Sequence, residues 1–160
     1  MTRTTKTLSQ LIRRENVRIS EVVLTWQEAI RLAVEPLVSG GFVEERYVDG
    51  IIANTYEFGP YYVLCPDLAL LHARPEQGVI AQQLAITILR KPVRFKPEGP
   101  DVRLLVALAA KDADSHIEVM RRLAVLLSDP IKLEQIAMAS TEDEAFGLFI
   151  GTPSTAEHQL

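Results

Sequence analysis

The 160-residue sequence holds one cysteine, Cys65, so no internal disulfide can form. A zinc site built from cysteines of one chain is excluded for the same reason. Cys65 closes the apolar run Tyr61 to Cys65, where a buried thiol is expected. No apolar run approaches the roughly 20 residues that a membrane-spanning helix needs. The start, MTRTTKTLSQLIRREN, is polar and lacks the apolar stretch of a secretory signal. A soluble, cytoplasmic protein is therefore expected. Basic charge is not in excess: 17 Lys and Arg stand against 21 Asp and Glu, for a net charge of -4. That excludes a nucleic-acid binder working through a broad basic surface. Several catalytic motifs are missing as well. There is no G-x-x-x-x-G-K-[ST] or G-x-G-x-x-G phosphate loop, no H-E-x-x-H metal motif and no G-x-S-x-G elbow.

What is present reads as one α/β domain. The length suffices for a single hydrophobic core. Residues 1–16 read as an N-terminal arm or short helix, 17–150 as the domain and 151–160 as a flexible tail. Val17, Ile19 and Val22 to Leu24 read as a first strand. Thr25-Trp26-Gln27-Glu28 has the form of a capping box, and Trp26, Ala29, Ile30, Ala33 and Leu37 then recur on one helical face. Gly40-Gly41 stops that helix. A second helix is expected over residues 44–56, ended by Gly59-Pro60. Strand-like runs follow at 61–65, 68–72, 84–89 and 102–109, with a short strand in the connection at 93–95. Ser115-His116-Ile117-Glu118 has the form of a second capping box. Two more helices are expected over 130–138 and 142–150, the acidic run Glu142-Asp143-Glu144 supporting the start of the last one. Strands buried on both faces, with helices before and after, predict a three-layer α/β/α sandwich around a central mixed sheet.

Three histidines are the main chemical resource. His158 lies in the tail and is expected to be inert. His116 opens the apolar face of its helix, with Val119, Met120, Leu123, Ala124 and Leu127 on the same side at about 100° per residue. It reads two ways: as a core histidine satisfied by the backbone, or as a neutral group facing an anion at a helix start. Periodicity leans to the first. His72 ends an apolar run and begins the polar loop Ala73 to Gly78, which holds Arg74 and Glu76. If strand geometry persists, His72 and Arg74 project to one side. A neutral imidazole is a competent nucleophile toward phosphorus, and a guanidinium beside it would steady phosphate oxygens. An ordinary loop histidine with an incidental arginine neighbour fits the same residues.

The stretch FGPYYVLCPDLALLHARPEQGV, residues 58–79, resembles the active-site region of IIA components of the sugar phosphotransferase system, mannitol/fructose type. Within that group it resembles the ascorbate-specific branch, in the F-G-P-Y start, the P-x-[LV]-A turn and the H-[AG]-R-P-E-x-G-V end. The A-A-x-D-A-x-x-H segment at 109–116 and T-W-Q-E-A at 25–29 are similar to the same branch. The resemblance runs from about Val17 to Ile150. It implies the mannitol-type IIA fold and a phosphotransferase activity with a phosphohistidine intermediate. His72 would be the phosphorylated residue, His116 its phosphoryl-stabilising neighbour and Arg74 a phosphate contact. The donor would be the phosphocarrier HPr. The acceptor would be a cysteine of a IIB component that serves a membrane permease, for ascorbate or a related sugar acid or pentitol. No metal or cofactor is implied, and monomer and homodimer both stay open. Leu70 and Leu71 are expected to join an apolar docking patch around His72. Two positions depart from the family pattern. Leu71 stands where a proline usually precedes the active histidine. No arginine occurs between Tyr47 and Pro60, where Asn54 and Glu57 stand instead. A regulatory protein of the same fold, or an interaction domain that has lost its chemistry, are the alternative readings.

Overall fold

The structure is a computed structural model and describes residues 8–151. The expected tail, with His158, lies outside the described residues. A short helix α1 (Leu8–Leu11) leads directly into strand β1 (Ile12–Ser20). The first strand thus begins inside the stretch expected as an arm and ends before Val22 and Val23, which are exposed. Helix α2 (Trp26–Ser39) starts at the expected capping box, with Thr25 Oγ1 accepting from Glu28 N and Glu28 Oε1 accepting from Thr25 N. Helix α3 (Arg46–Phe58) ends at Gly59. Strands β2 (Val63–Cys65) and β3 (Asp67–Leu71) form a tight antiparallel hairpin, turned at Asp67 with φ 72. Cys65 is only half-buried there; burial, with a lesser push from Asp67, raises its thiol pKa.

Strand β4 (Gln83–Arg94) absorbs the two strands expected at 84–89 and 93–95, and β5 (Asp101–Ala109) returns antiparallel beside it. Helices α4 (Ala113–Leu127), α5 (Pro130–Ala137) and α6 (Glu142–Ile150) complete the fold. The five strands lie in the order β1-β4-β5-β3-β2. The pairs β1/β4 and β3/β5 are parallel and the others antiparallel, so the sheet is mixed.

Two apolar layers follow from the two-residue period of the strands. Ala69, Leu71, Ala85, Leu105 and Ala107 face α2 and α3. Leu68, Leu70, Leu84, Ile86, Ile88, Leu104 and Val106 face the layer formed by α4, α5 and α6. Leu70 and Leu71 are 2% and 0% exposed, so neither forms part of a docking surface as expected. They anchor the strand that carries His72. Among the described residues no helix is long and apolar enough to cross a membrane.

Candidate functional site

Parallel neighbours leave a sheet at the same edge, and that geometry builds the site. Strand β3 ends at Leu71, paired with Ala107 of β5. The chain leaving β3 gives His72. The chain leaving β5 turns at Asp112 into α4 and gives His116. The two imidazole rings meet with centroids 5.3 Å apart and planes inclined at 47°. Both rings are half-buried and line one cleft of about 480 Å³, with Tyr61, Asn54, Arg74 and Ile117 around them. His116 is therefore neither sealed in the core nor remote from His72. Its partners on the helix, Val119, Leu123 and Leu127, are buried as the periodicity indicated, while Ala124 is exposed.

Helix α4 starts earlier than expected. Its cap is Asp112, whose Oδ1 accepts from Ser115 N at 2.7 Å. Ser115 and Glu118 form no capping box. His116 consequently sits in the first helical turn, its N–H bonded to the Asp112 carbonyl at 3.0 Å. Burial, and then the neighbouring His72, lower the His116 pKa below the ordinary 6.5. At neutral pH His116 is uncharged and can donate from one ring nitrogen or accept at the other.

His72 has its Nδ1 2.7 Å from the Leu70 carbonyl oxygen. A carbonyl only accepts, so Nδ1 carries a proton, and in the neutral ring the lone pair is then on Nε2. The backbone just past β3 is held by two tyrosines. The Tyr61 hydroxyl donates to the His72 carbonyl. The Tyr47 hydroxyl donates to the Leu108 carbonyl at 2.8 Å and accepts from Ala73 N at 2.9 Å. Tyr47 is fully buried, and burial drives its pKa far above the ordinary phenol value.

The loop beyond is fixed against α3. A short 3-10 turn spans Pro75–Gln77. Gln77 Oε1 accepts from Arg74 N at 2.9 Å and from Asn54 Nδ2 at 3.0 Å. Gln77 lies so close to α3 that a Cβ at Gly50 would stand 3.0 Å from Gln77 Nε2. Gly78, at φ 139, closes the turn in a conformation that favours glycine, and a Cβ there would stand 3.2 Å from Tyr47 Cβ. Arg74 lines the cleft and is well exposed, its Nε 3.4 Å from Glu76 Oε2. A guanidinium so placed is free to turn toward an anion.

The residue reading did not single out Tyr47, Tyr61, Asn54 or Gln77 for the site. Tyr47 carried one signal, because a tyrosine on a buried helical face must find a partner for its hydroxyl. Asn54 falls seven residues later, two turns along the same face.

The sequence from Gln10 to Ile150 matches the family described as "Phosphoenolpyruvate-dependent sugar phosphotransferase system, EIIA 2". The chain belongs to that EIIA family. A protein of Escherichia coli (strain K12) that bears the IIA-component name SgcA is 44% identical over 127 residues, 79% of this chain and 89% of its own. The ascorbate-specific PTS system EIIA component of the same strain is 34% identical over 153 residues, 94% of this chain and 99% of its own. A solved complex of enzyme IIAMtl with phosphorylated enzyme IIBMtl from Escherichia coli superimposes with a TM-score of 0.76. The identity there is 30%, covering 88% of this chain and 99% of the other. This EIIA chain thus has the mannitol-type IIA fold, and its family consists of phosphotransferase components that carry phosphoryl groups.

Proposed function

We propose that this EIIA chain carries a phosphoryl group on His72 Nε2, taking it from the phosphocarrier HPr and passing it to a cysteine of a IIB component. The observation that carries the reading is the Nδ1 contact to the Leu70 carbonyl beside a second, neutral histidine. It leaves the lone pair of His72 on Nε2, the form that attacks phosphorus. In the accepting step the Nε2–P bond forms as the donor's P–N bond breaks, and the donor imidazole keeps that electron pair. His72 then bears a positive charge, and its Nδ1–H stays on the Leu70 carbonyl. In the onward step a thiolate attacks phosphorus, and the P–N electrons return to Nε2.

His116 donates a hydrogen bond to a phosphoryl oxygen without forming a full ion pair, so the group is stabilised yet releasable. Arg74 swings from Glu76 to a second oxygen. The family's mannitol-type member in complex with its IIB component supports the acceptor. The ascorbate-specific relative supports ascorbate, or a related sugar acid or pentitol, as the transported compound. The partners dock on the cleft rim, where Tyr61 and Ile117 are exposed at 37% and 53%. The working location is the cytoplasm.

Intact-mass measurement after incubation with phosphorylated HPr tests the reading. The wild type takes up one acid-labile phosphoryl group, mapped to His72, and His72→Ala takes up none. His116→Ala still accepts, but onward transfer to IIB falls by about a hundredfold, the scale for losing one transition-state donor. Arg74→Ala slows the same transfer less. Absence of phosphate on the wild type sinks the carrier reading, and an unchanged rate removes Arg74 from the site.

A further inference from the structure

The backbone that carries His72 lies just past the end of β3, where the sheet ladder stops. Its carbonyl bonds instead to the side chain of Tyr61, from the turn between α3 and β2. The Tyr61 ring stands edge-on to the imidazole, with centroids 5.3 Å apart and planes at 90°. A second ring, Tyr62, backs Tyr61 at 4.9 Å, and the buried Tyr62 hydroxyl meets Thr55 Oγ1 at 2.8 Å. On its other side the Tyr61 oxygen lies 3.5 Å from Asn54 Nδ2, whose amide is itself held by Gln77. Tyr61 is therefore held by Asn54 of α3 and by Tyr62, its neighbour in the turn, while it grips His72.

We propose that Tyr61 is a positioning residue for the phosphate-bearing histidine: its hydroxyl fixes the His72 carbonyl and its ring edge fixes the imidazole, and together they hold the Nδ1–H tautomer. The physical reason is local. The Nδ1 contact to Leu70 spans only two residues, so it survives only while the His72 backbone keeps one orientation. A main chain freed at His72 lets the ring rotate, and a rotated ring loses the Leu70 acceptor. Free imidazole then redistributes its proton between the two nitrogens, and part of the nucleophile is lost. Small losses of orientation are costly in group transfer. In this role Tyr61 acts through His72, separately from any part its exposed rim takes in docking the partners.

The proposal rests on His72 as the phosphate carrier, and its test separates the two. The tautomer of His72 is read in the unphosphorylated chain by long-range proton–nitrogen NMR, in wild type, Tyr61→Phe and Tyr61→Leu. Tyr61 is 37% exposed, so the phenylalanine variant keeps the fold and the ring while losing only the hydroxyl. Wild type shows Nδ1–H, and Tyr61→Phe shows a reduced Nδ1–H share. Its rate of phosphorylation by phosphoramidate, a small donor that needs no docking surface, falls roughly fivefold, the size of one lost hydrogen bond. Tyr61→Leu, lacking ring and hydroxyl, falls further on both readouts. A Tyr61→Phe tautomer ratio equal to wild type overturns the proposal, whatever the rate. A wild type that holds Nδ1–H but accepts no phosphate from HPr ends the carrier reading, and with it the positioning role, leaving only the hold of Tyr61 on the His72 tautomer.

Discussion

His116 is held neutral by burial and by its histidine neighbour, and that has a consequence for stability as well as chemistry. Its folded pKa is lowered, so the unfolded chain takes up the proton first as pH falls. Unfolding then binds a proton, and stability drops with falling pH. The contribution is complete above about 6.5, the unfolded histidine value, and is lost as pH falls from there through the folded value. Denaturant midpoints measured at steps from pH 7.5 to 5 should decline in the wild type and decline less in His116→Asn. Equal slopes would show that His116 does not titrate as its surroundings indicate. At this scale the sequence was legible where chemistry and periodicity met: His72 at the end of an apolar run, His116 on an apolar helical face. Tyr47, Tyr61 and the Asn54–Gln77 pair were not, because the contacts Tyr47–Leu108, Tyr61–His72 and Asn54–Gln77 join residues 61, 11 and 23 apart and only the folded loop brings them together.

Helix starts were legible where the cap and the apolar face agree. Thr25 caps as the pattern indicated, and Thr141 caps α6 ahead of its acidic run, each accepting from the N–H three residues on. The start of α4 was misplaced because D-A-D-S-H-I-E holds two overlapping cap signals. Asp112 wins because its carboxylate accepts from Ser115 N, which places Ser115 inside the first helical turn rather than at the cap. Asp112→Ala should therefore cost about 1 kcal/mol, while Ser115→Ala changes stability by less than about 0.5 kcal/mol. Thermal unfolding of the two variants decides between the caps, and the reverse ranking would restore Ser115. The expected strand at Val22 to Leu24 failed for a related reason. Its β-branched residues satisfy propensity, but the parallel partner β4 pairs with β1 only as far as Ser20. Beyond the ladder, propensity has nothing to pair with.

The layered architecture was the most legible feature, since near-continuous apolar strands must be covered on both faces. The two-residue alternation also settles how the two faces share one strand. Leu70 and Leu71 are adjacent in sequence, yet each belongs to a different apolar layer. A single sheet separates those layers, so loosening one removes support from the strands that form the other. Unfolding should be one cooperative transition. Leu70→Ala provides the test, because it opens a cavity on the α4 side and should cost about 2–5 kcal/mol. Trp26, the single tryptophan, packs on the opposite layer with its ring 5.3 Å from Tyr56. Its fluorescence reports a face that Leu70 does not touch. In Leu70→Ala the denaturant midpoint read from Trp26 should fall as far as the midpoint read from far-UV circular dichroism. A Trp26 midpoint left at the wild-type value would mean that the α2 layer unfolds on its own, and that the histidine at the shared edge can lose one wall while keeping the other.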